Sequence, residues 1–173
     1  RYAQAGYSAD APLQLELRYN TWTQHRRLAL AVASMWRPVL GVRTRLLNEE
    51  WKVFVGNRRQ GTITQAFRGG WVADYADPAS FLSTFAARQP LNTAGFDDNA
   101  FDSLLRQAAD SADATARNAL YHAAERRLVD ADVVVPIYHY TSKHLVDPRV
   151  EGFTANPLDR HPTRDLRLRG PAQ

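Results

Sequence analysis

PLQLELRYNTWTQHRRLALAVASMWRPVLGVRTRLLN, Pro12 to Asn48, is the stretch whose reading decides the fold. Leu13, Leu15, Leu17 and Tyr19 alternate with polar or charged residues, the period of a half-buried strand. The period then changes: Leu28, Val32, Met35 and Trp36 recur at helical spacing. Gly41 can stop that helix, and Pro38 predicts a kink or an earlier end. VRTRLLN (42–48) reads as a second short strand. A return through a helix implies parallel pairing between the strands on either side.

Downstream, Asn48 is placed to cap a helix through EEWKVFVGNRRQG, with Glu49 and Glu50 in its first turn. Trp51, Phe54, Val55 and Arg58 fall on one side of it. ITQAF (63–67) is strand-like, and Asp77-Pro78 marks a helix start that would carry Phe81, Leu82 and Phe85. Two amphipathic helices follow. Phe101, Leu104, Leu105 and Ala108 form the apolar face of the first; Leu120, Ala124 and Leu128 form that of the second, capped by Asp113. VVVPIYHYT (133–141) is β-rich, with Pro136 pointing to an edge or crossing, and KHLV (143–146) is one further candidate strand. The remainder is an irregular tail containing the alternating piece DLRLR. The alternation of strands and helices predicts an α/β lobe with a mixed sheet flanked by helices.

The chain has 173 residues, enough for one domain or one large lobe of something bigger. Its net charge of +4 comes from scattered cations with acidic neighbours, not from a basic stripe with interleaved aromatics, which argues against a nucleic-acid binder. It has no cysteine, so disulfides, thiolate metal sites and cysteine nucleophiles are excluded within it. No apolar run reaches the length of a membrane-spanning helix, and the first residues lack the apolar core of a signal peptide.

Between the third strand and the following helix lies RGGWVADYADP, Arg68 to Pro78. In α/β sheets, ligands bind outside the carboxyl ends of strands, where this connection falls. Gly69-Gly70 match no phosphate loop, but permit close backbone approach to a ligand. Asp74 beside Trp71 and Tyr75 can receive an ammonium group, the ring faces adding cation–π attraction. Arg68 can meet a carboxylate bidentately. A ligand bearing both an amine and a carboxylate fits: an amino acid or peptide. Each residue also has a plainer role open to it: Trp71 as core, Asp74 as a brace, the glycines as a turn. The five histidines form no H-x-x-x-H or H-E-x-x-H pair, so no metal site is expected. No cofactor motif and no nucleophile, base and orienter set are present, so no catalytic residue is assigned.

EEWKVFVGNRRQGTITQAFRGGWVADYADPASFLSTF, LNTAGFDDNAFDSLLRQA and VVVPIYHYTSKHLV, in that order, resemble the oligopeptide-binding proteins of bacterial ABC importers, extracellular solute-binding proteins of family 5. The resemblance runs over nearly the whole chain. It implies one lobe of a type II periplasmic-binding architecture, with residues 1–140 as the ligand-binding lobe in part. Residues 141–173 would be a return segment and tail towards a missing first lobe. It implies a periplasmic or lipid-anchored monomer that captures peptides by lobe closure and hands them to an ABC permease. No enzyme activity, nucleic acid or membrane span is implied, and the isolated chain would have only half a cleft. Residue by residue, Asp74 resembles the acceptor of the peptide's α-amino group, and Trp71 and Trp51 resemble pocket walls. Arg68 and Arg58 match basic residues that can meet the C-terminal carboxylate. Tyr140 resembles a contact to the peptide backbone, and Gly70 lets backbone approach the ligand. Val72 stands where some relatives carry a disulfide-forming cysteine. The rivals are a dipeptide, murein peptide, nickel or sugar ligand in the same family and, from another class, a hydrolase using Asp74 and His139.

Overall fold

Strand β1 (Gln14–Asn20) buries Leu17 and Tyr19, the alternate positions that the sequence period marks. The structure is a computed structural model describing residues 2–63 and 65–170. Helix α1 (Thr23–Leu40) carries the chain back, and β2 (Arg43–Glu49) pairs parallel with β1, Leu17 opposite Leu46. Helix α2 (Trp51–Arg59) makes the second return, and the short β3 (Ala66–Phe67) pairs parallel on the other edge of β1. The sheet order is β2-β1-β3. The expected strand at 63–67 thus forms over its last two residues; Thr64 lies outside the described residues.

Three local readings change. Of the expected apolar face of α1, Leu28, Val32 and Trp36 are half-buried but Met35 is 67% exposed, and the fully buried positions are His25 and Ala29. Ala29, with no bulk beyond its Cβ, packs directly on Leu17 and Tyr19. Pro38 does not end α1, which runs on to Leu40. It stands in the last turn, where its missing N–H forfeits a single bond, and the helix stops at Gly41, whose φ of +68° suits glycine. Asn48 does not cap α2, because β2 runs through it and its amide donates to Thr21 Oγ1 at 2.9 Å. Glu50 caps instead: its Oε2 accepts from the Lys52 and Val53 N–H groups at 2.8 and 3.3 Å.

The chain divides into two compact units, Arg1–Trp71 and Val72–Gln173. The parallel sheet and its helices belong to the first. The second begins with α3 (Ala79–Leu82), one helical turn continued by a 3₁₀ turn, whose start is set by Asp77 Oδ1 accepting the Ala79 N–H at 2.8 Å. Helices α4 (Asn99–Asp110) and α5 (Ala114–Asp130) then form a hairpin. Asp113 caps α5 as the sequence suggests, and Asp98 caps α4 in the same way. Their shared core is Phe101, Ala108, Tyr121, Ala124 and Leu128, with Leu82 and Phe96 closing it; the Phe96 and Phe101 rings meet edge to face at 5.2 Å. Arg127 in the last turn of α5 reaches Asp98 at 2.6 Å. That ion pair, then the Phe101 N–H, lowers the Asp98 pKa.

VVVPIYHYT and KHLV form no strand among the described residues. β propensity there finds no neighbouring ladder, and Val135 and Ile137 remain exposed. In the tail, β4 (Val150–Glu151) pairs antiparallel with β5 (Arg167–Leu168), the alternating piece. Parallel and antiparallel pairing both occur, in separate sheets. No described helix is long and apolar enough to cross a membrane.

Candidate functional site

In a parallel sheet all strands end on the same side. At that side of the first unit, β1 hands over to His25 at the start of α1, β2 to Trp51 at the start of α2, and β3 to Arg68. Arg68 extends the β3 pairing through its N–H to the Arg18 carbonyl at 2.8 Å. Its guanidinium folds back over Gly70: a Cβ there would lie 2.9 Å from Arg68 Nη2. Gly70 thus makes room for a cation's resting position, a more specific role than a plain turn.

Arg58, in the last turn of α2, is half-buried, with its guanidinium over the Phe67 ring at 4.6 Å and near the Phe54 ring at 5.6 Å. Burial, then the Arg68 charge, lowers its pKa. The two arginines assigned to carboxylate recognition therefore share one electrostatic environment. Two like charges on half-buried side chains raise the local positive potential.

His25 joins them, though no motif in the sequence marked it. It is 4% exposed, with Nδ1 3.2 Å from the Asn20 carbonyl. Burial lowers its pKa; the Asn20 carbonyl opposes that shift and the Arg68 charge adds to it. Among the described residues its Nε2 is buried with no hydrogen-bond partner, as are Asn20 Oδ1 and Glu49 Oε2. Three such atoms at the carboxyl ends of β1 and β2 form an unsatisfied polar rim, and buried polar groups are nearly always satisfied by something. The available signal was position: a histidine in the first helical turn after a strand of a parallel sheet.

The tryptophans are not core. Trp51 is 55% and Trp71 39% exposed. The boundary between the two units falls after Trp71, inside RGGWVADYADP. In the second unit, Asp77 is consumed by structure, pairing with Arg117 at 2.5 Å besides its cap. Asp74 is held through its backbone: its N–H donates to Oγ of the buried Ser80 at 2.8 Å. Its carboxylate is exposed and has no hydrogen bond or ion pair among the described residues. Tyr140 is 51% exposed, its ring against Tyr138 at 5.0 Å. It lines a cavity of about 320 Å³ with His144, Asp159 and His161, three side chains that sequence spacing did not connect. No hydrogen bond among the described residues joins His139 to Asp74. A hollow of about 470 Å³ lined by Gln14, Arg43 and Gln65 sits at the amino ends of β1 and β2.

A short parallel sheet with its polar groups at the strand carboxyl ends, followed by a helical second unit, is an α/β lobe of the type II periplasmic-binding architecture. The chain belongs to the bacterial extracellular solute-binding proteins, family 5, whose middle-region description matches residues 2–93. It is 44% identical over 165 residues to the periplasmic oligopeptide-binding protein OppA of Escherichia coli K12, covering 95% of this chain and 30% of that protein. It is 40% identical over 152 residues to the periplasmic murein peptide-binding protein MppA of the same organism, covering 88% of this chain and 28% of that protein. Among solved structures it is similar to Haemophilus influenzae OppA in complex with RPPGFSPFR, with a TM-score of 0.85 and 33% identity, over 96% of this chain and 33% of that one. The chain thus spans about a third of the length of the relatives it matches.

Proposed function

We propose that this chain is the ligand-contacting part of one lobe of a periplasmic peptide receptor, which captures peptides by lobe closure and presents them to an ABC permease. Residues 1–140 form the lobe portion and 141–173 the return segment. The protein acts as a monomer and catalyses no reaction. The observation that carries the proposal is the Asp74 carboxylate, held through its backbone by Ser80 and Arg160 yet exposed and without a hydrogen bond or ion pair of its own among the described residues.

An exposed, positioned carboxylate with aromatic neighbours in sequence accepts the α-amino group that every peptide has. Arg58 and Arg68, with His25 beside Arg68, supply the anion-favouring end for the C-terminal carboxylate. Trp51 and Trp71 stay exposed as walls for side chains, and Tyr140 contacts the peptide backbone. Such a site takes its affinity from termini and backbone, so it tolerates varied side chains, with water filling what a small residue leaves empty. Charge-assisted hydrogen bonds of this kind each contribute roughly 1.5–3 kcal/mol.

The test is calorimetry on the full-length protein with tri- and tetrapeptides, dipeptides, a murein peptide, nickel and neutral sugars. Unmodified oligopeptides of differing sequence bind, and amine-free solutes do not. A panel in which only sugars or nickel bind overturns the proposal.

A further inference from the structure

The tail of the second unit gathers three side chains that the peptide reading leaves unused. His144 Nε2 lies 2.7 Å and His161 Nε2 3.0 Å from the same oxygen, Asp159 Oδ1. One donor atom from each residue can be chosen so that no two are farther apart than 4.8 Å.

Their surroundings hold them in place. Phe153 stacks on the His161 ring at 3.8 Å, 17° from parallel, and meets the His144 ring edge-on at 5.1 Å. Asp159 sits in a loop closed by Asn156, whose Oδ1 accepts from the Leu158 and Arg160 N–H groups at 3.2 and 3.1 Å. Asn156 Nδ2 returns a bond to the Arg160 carbonyl at 2.9 Å. The φ of Asp159 is +51°, a left-handed conformation that Asp and Asn adopt more readily than other side chains. His161, then Ser142, then His144 hydrogen-bond the Asp159 carboxyl and fix its orientation.

We propose that His144, Asp159 and His161 form a binding site for a divalent first-row transition-metal ion of the zinc type. Two imidazoles and one carboxylate are a borderline donor set that suits zinc, nickel or copper better than magnesium or calcium. Zinc bound at about 2.0–2.2 Å to each donor places tetrahedral donors about 3.3 Å apart. The two nitrogen–oxygen separations of 2.7 and 3.0 Å lie just short of that value, and no donor pair exceeds 4.8 Å. Each imidazole binds the metal as its neutral form through an unprotonated nitrogen, its one proton residing on the other ring nitrogen, and the metal takes the place of the shared hydrogen bonds. The cavity of about 320 Å³ beside the triad leaves a coordination position open to water or to an oxygen or nitrogen of a small ligand. Sequence spacing hid the set because two of its members lie in one turn of the tail and the third lies well before them; only the tail's closure joins them.

The inference is independent of the peptide reading and is tested without peptide. Full-length protein stripped with chelator is titrated calorimetrically with zinc chloride alone. One equivalent binds in the micromolar range or tighter, and cobalt(II) at the same site gives visible d–d absorption that zinc abolishes. His144→Gln and Asp159→Asn each weaken zinc binding by about tenfold or more. His122→Gln, a change at an exposed histidine on α5, leaves it unaltered. His144 is a partly exposed side chain, so its variant keeps the test valid where loss of His161 from its stack on Phe153 harms folding. Absence of zinc binding at one equivalent, or equal binding by the His144→Gln and Asp159→Asn proteins, overturns the proposal. Peptide binding is unaffected by that outcome.

Discussion

Asp74 and Asp77 stand three residues apart and meet different fates. Asp77 spends both oxygens on structure, through the Ala79 N–H and the Arg117 guanidinium. Asp74 keeps its carboxylate exposed. Both were visible in the sequence as acidic residues near a helix start, but only the geometry says which is engaged. Gly70 is a second case. Gly70→Ala crowds the folded-back Arg68 side chain, which can move because the conflict is with its flexible end. The expected result is an unchanged melting temperature with a several-fold loss of affinity for peptides with a free C-terminus. Unchanged affinity would mean that the resting place of Arg68 is irrelevant to binding. Asp98 carries a pH prediction. Its pKa is lowered from the ordinary 3.8 by Arg127 and then by the Phe101 N–H. Its stabilising effect is therefore complete above that ordinary value and is lost as pH falls through the lowered one. An NMR titration should place the Asp98 carboxyl midpoint below 3.8. A midpoint at or above that value would contradict the pairing.

At the scale of elements, the helical hairpin rests on Phe101 and on its two aspartate caps. Phe101 is fully buried, against Phe96 and the α5 face. Phe101→Ala should cost about 3–5 kcal/mol by cavity formation, and Asp113→Ala about 1 kcal/mol by loss of the cap. Urea unfolding of the full-length protein measures both, and a larger loss at Asp113 than at Phe101 would reverse the assignment of where this unit's stability lies. The hairpin was legible because its evidence is local: a 3.6-residue period and an Asp before each helix. β1 and β2 were legible for the same reason. The residues 133–146 were misread as strands because strand formation depends on a partner that propensity cannot supply. Asn48 was misread as a cap because the end of β2 is set by pairing with β1, whose register runs on to Glu49.

At the scale of the whole molecule, what the sequence carries most firmly is order: strand, helix, strand, helix, strand, then the motif, then the hairpin. That order leads to the family, and the structure adds what spacing cannot. It sets Arg58 and Arg68 in one electrostatic environment with His25 and leaves polar atoms unsatisfied at the sheet's carboxyl ends. It also assembles His144, Asp159 and His161 across the tail. Contacts between residues distant in sequence account for each of these, so no window of sequence could show them. The central functional claim is that Asp74 receives the peptide's α-amino group. The most direct measurement is calorimetric binding of one tripeptide, free and N-acetylated, to the full-length protein and its Asp74→Asn variant. Acetylation is expected to weaken binding about 10- to 100-fold in the unaltered protein and to have little effect in the variant. Equal binding of the free and acetylated peptides by the unaltered protein would contradict it.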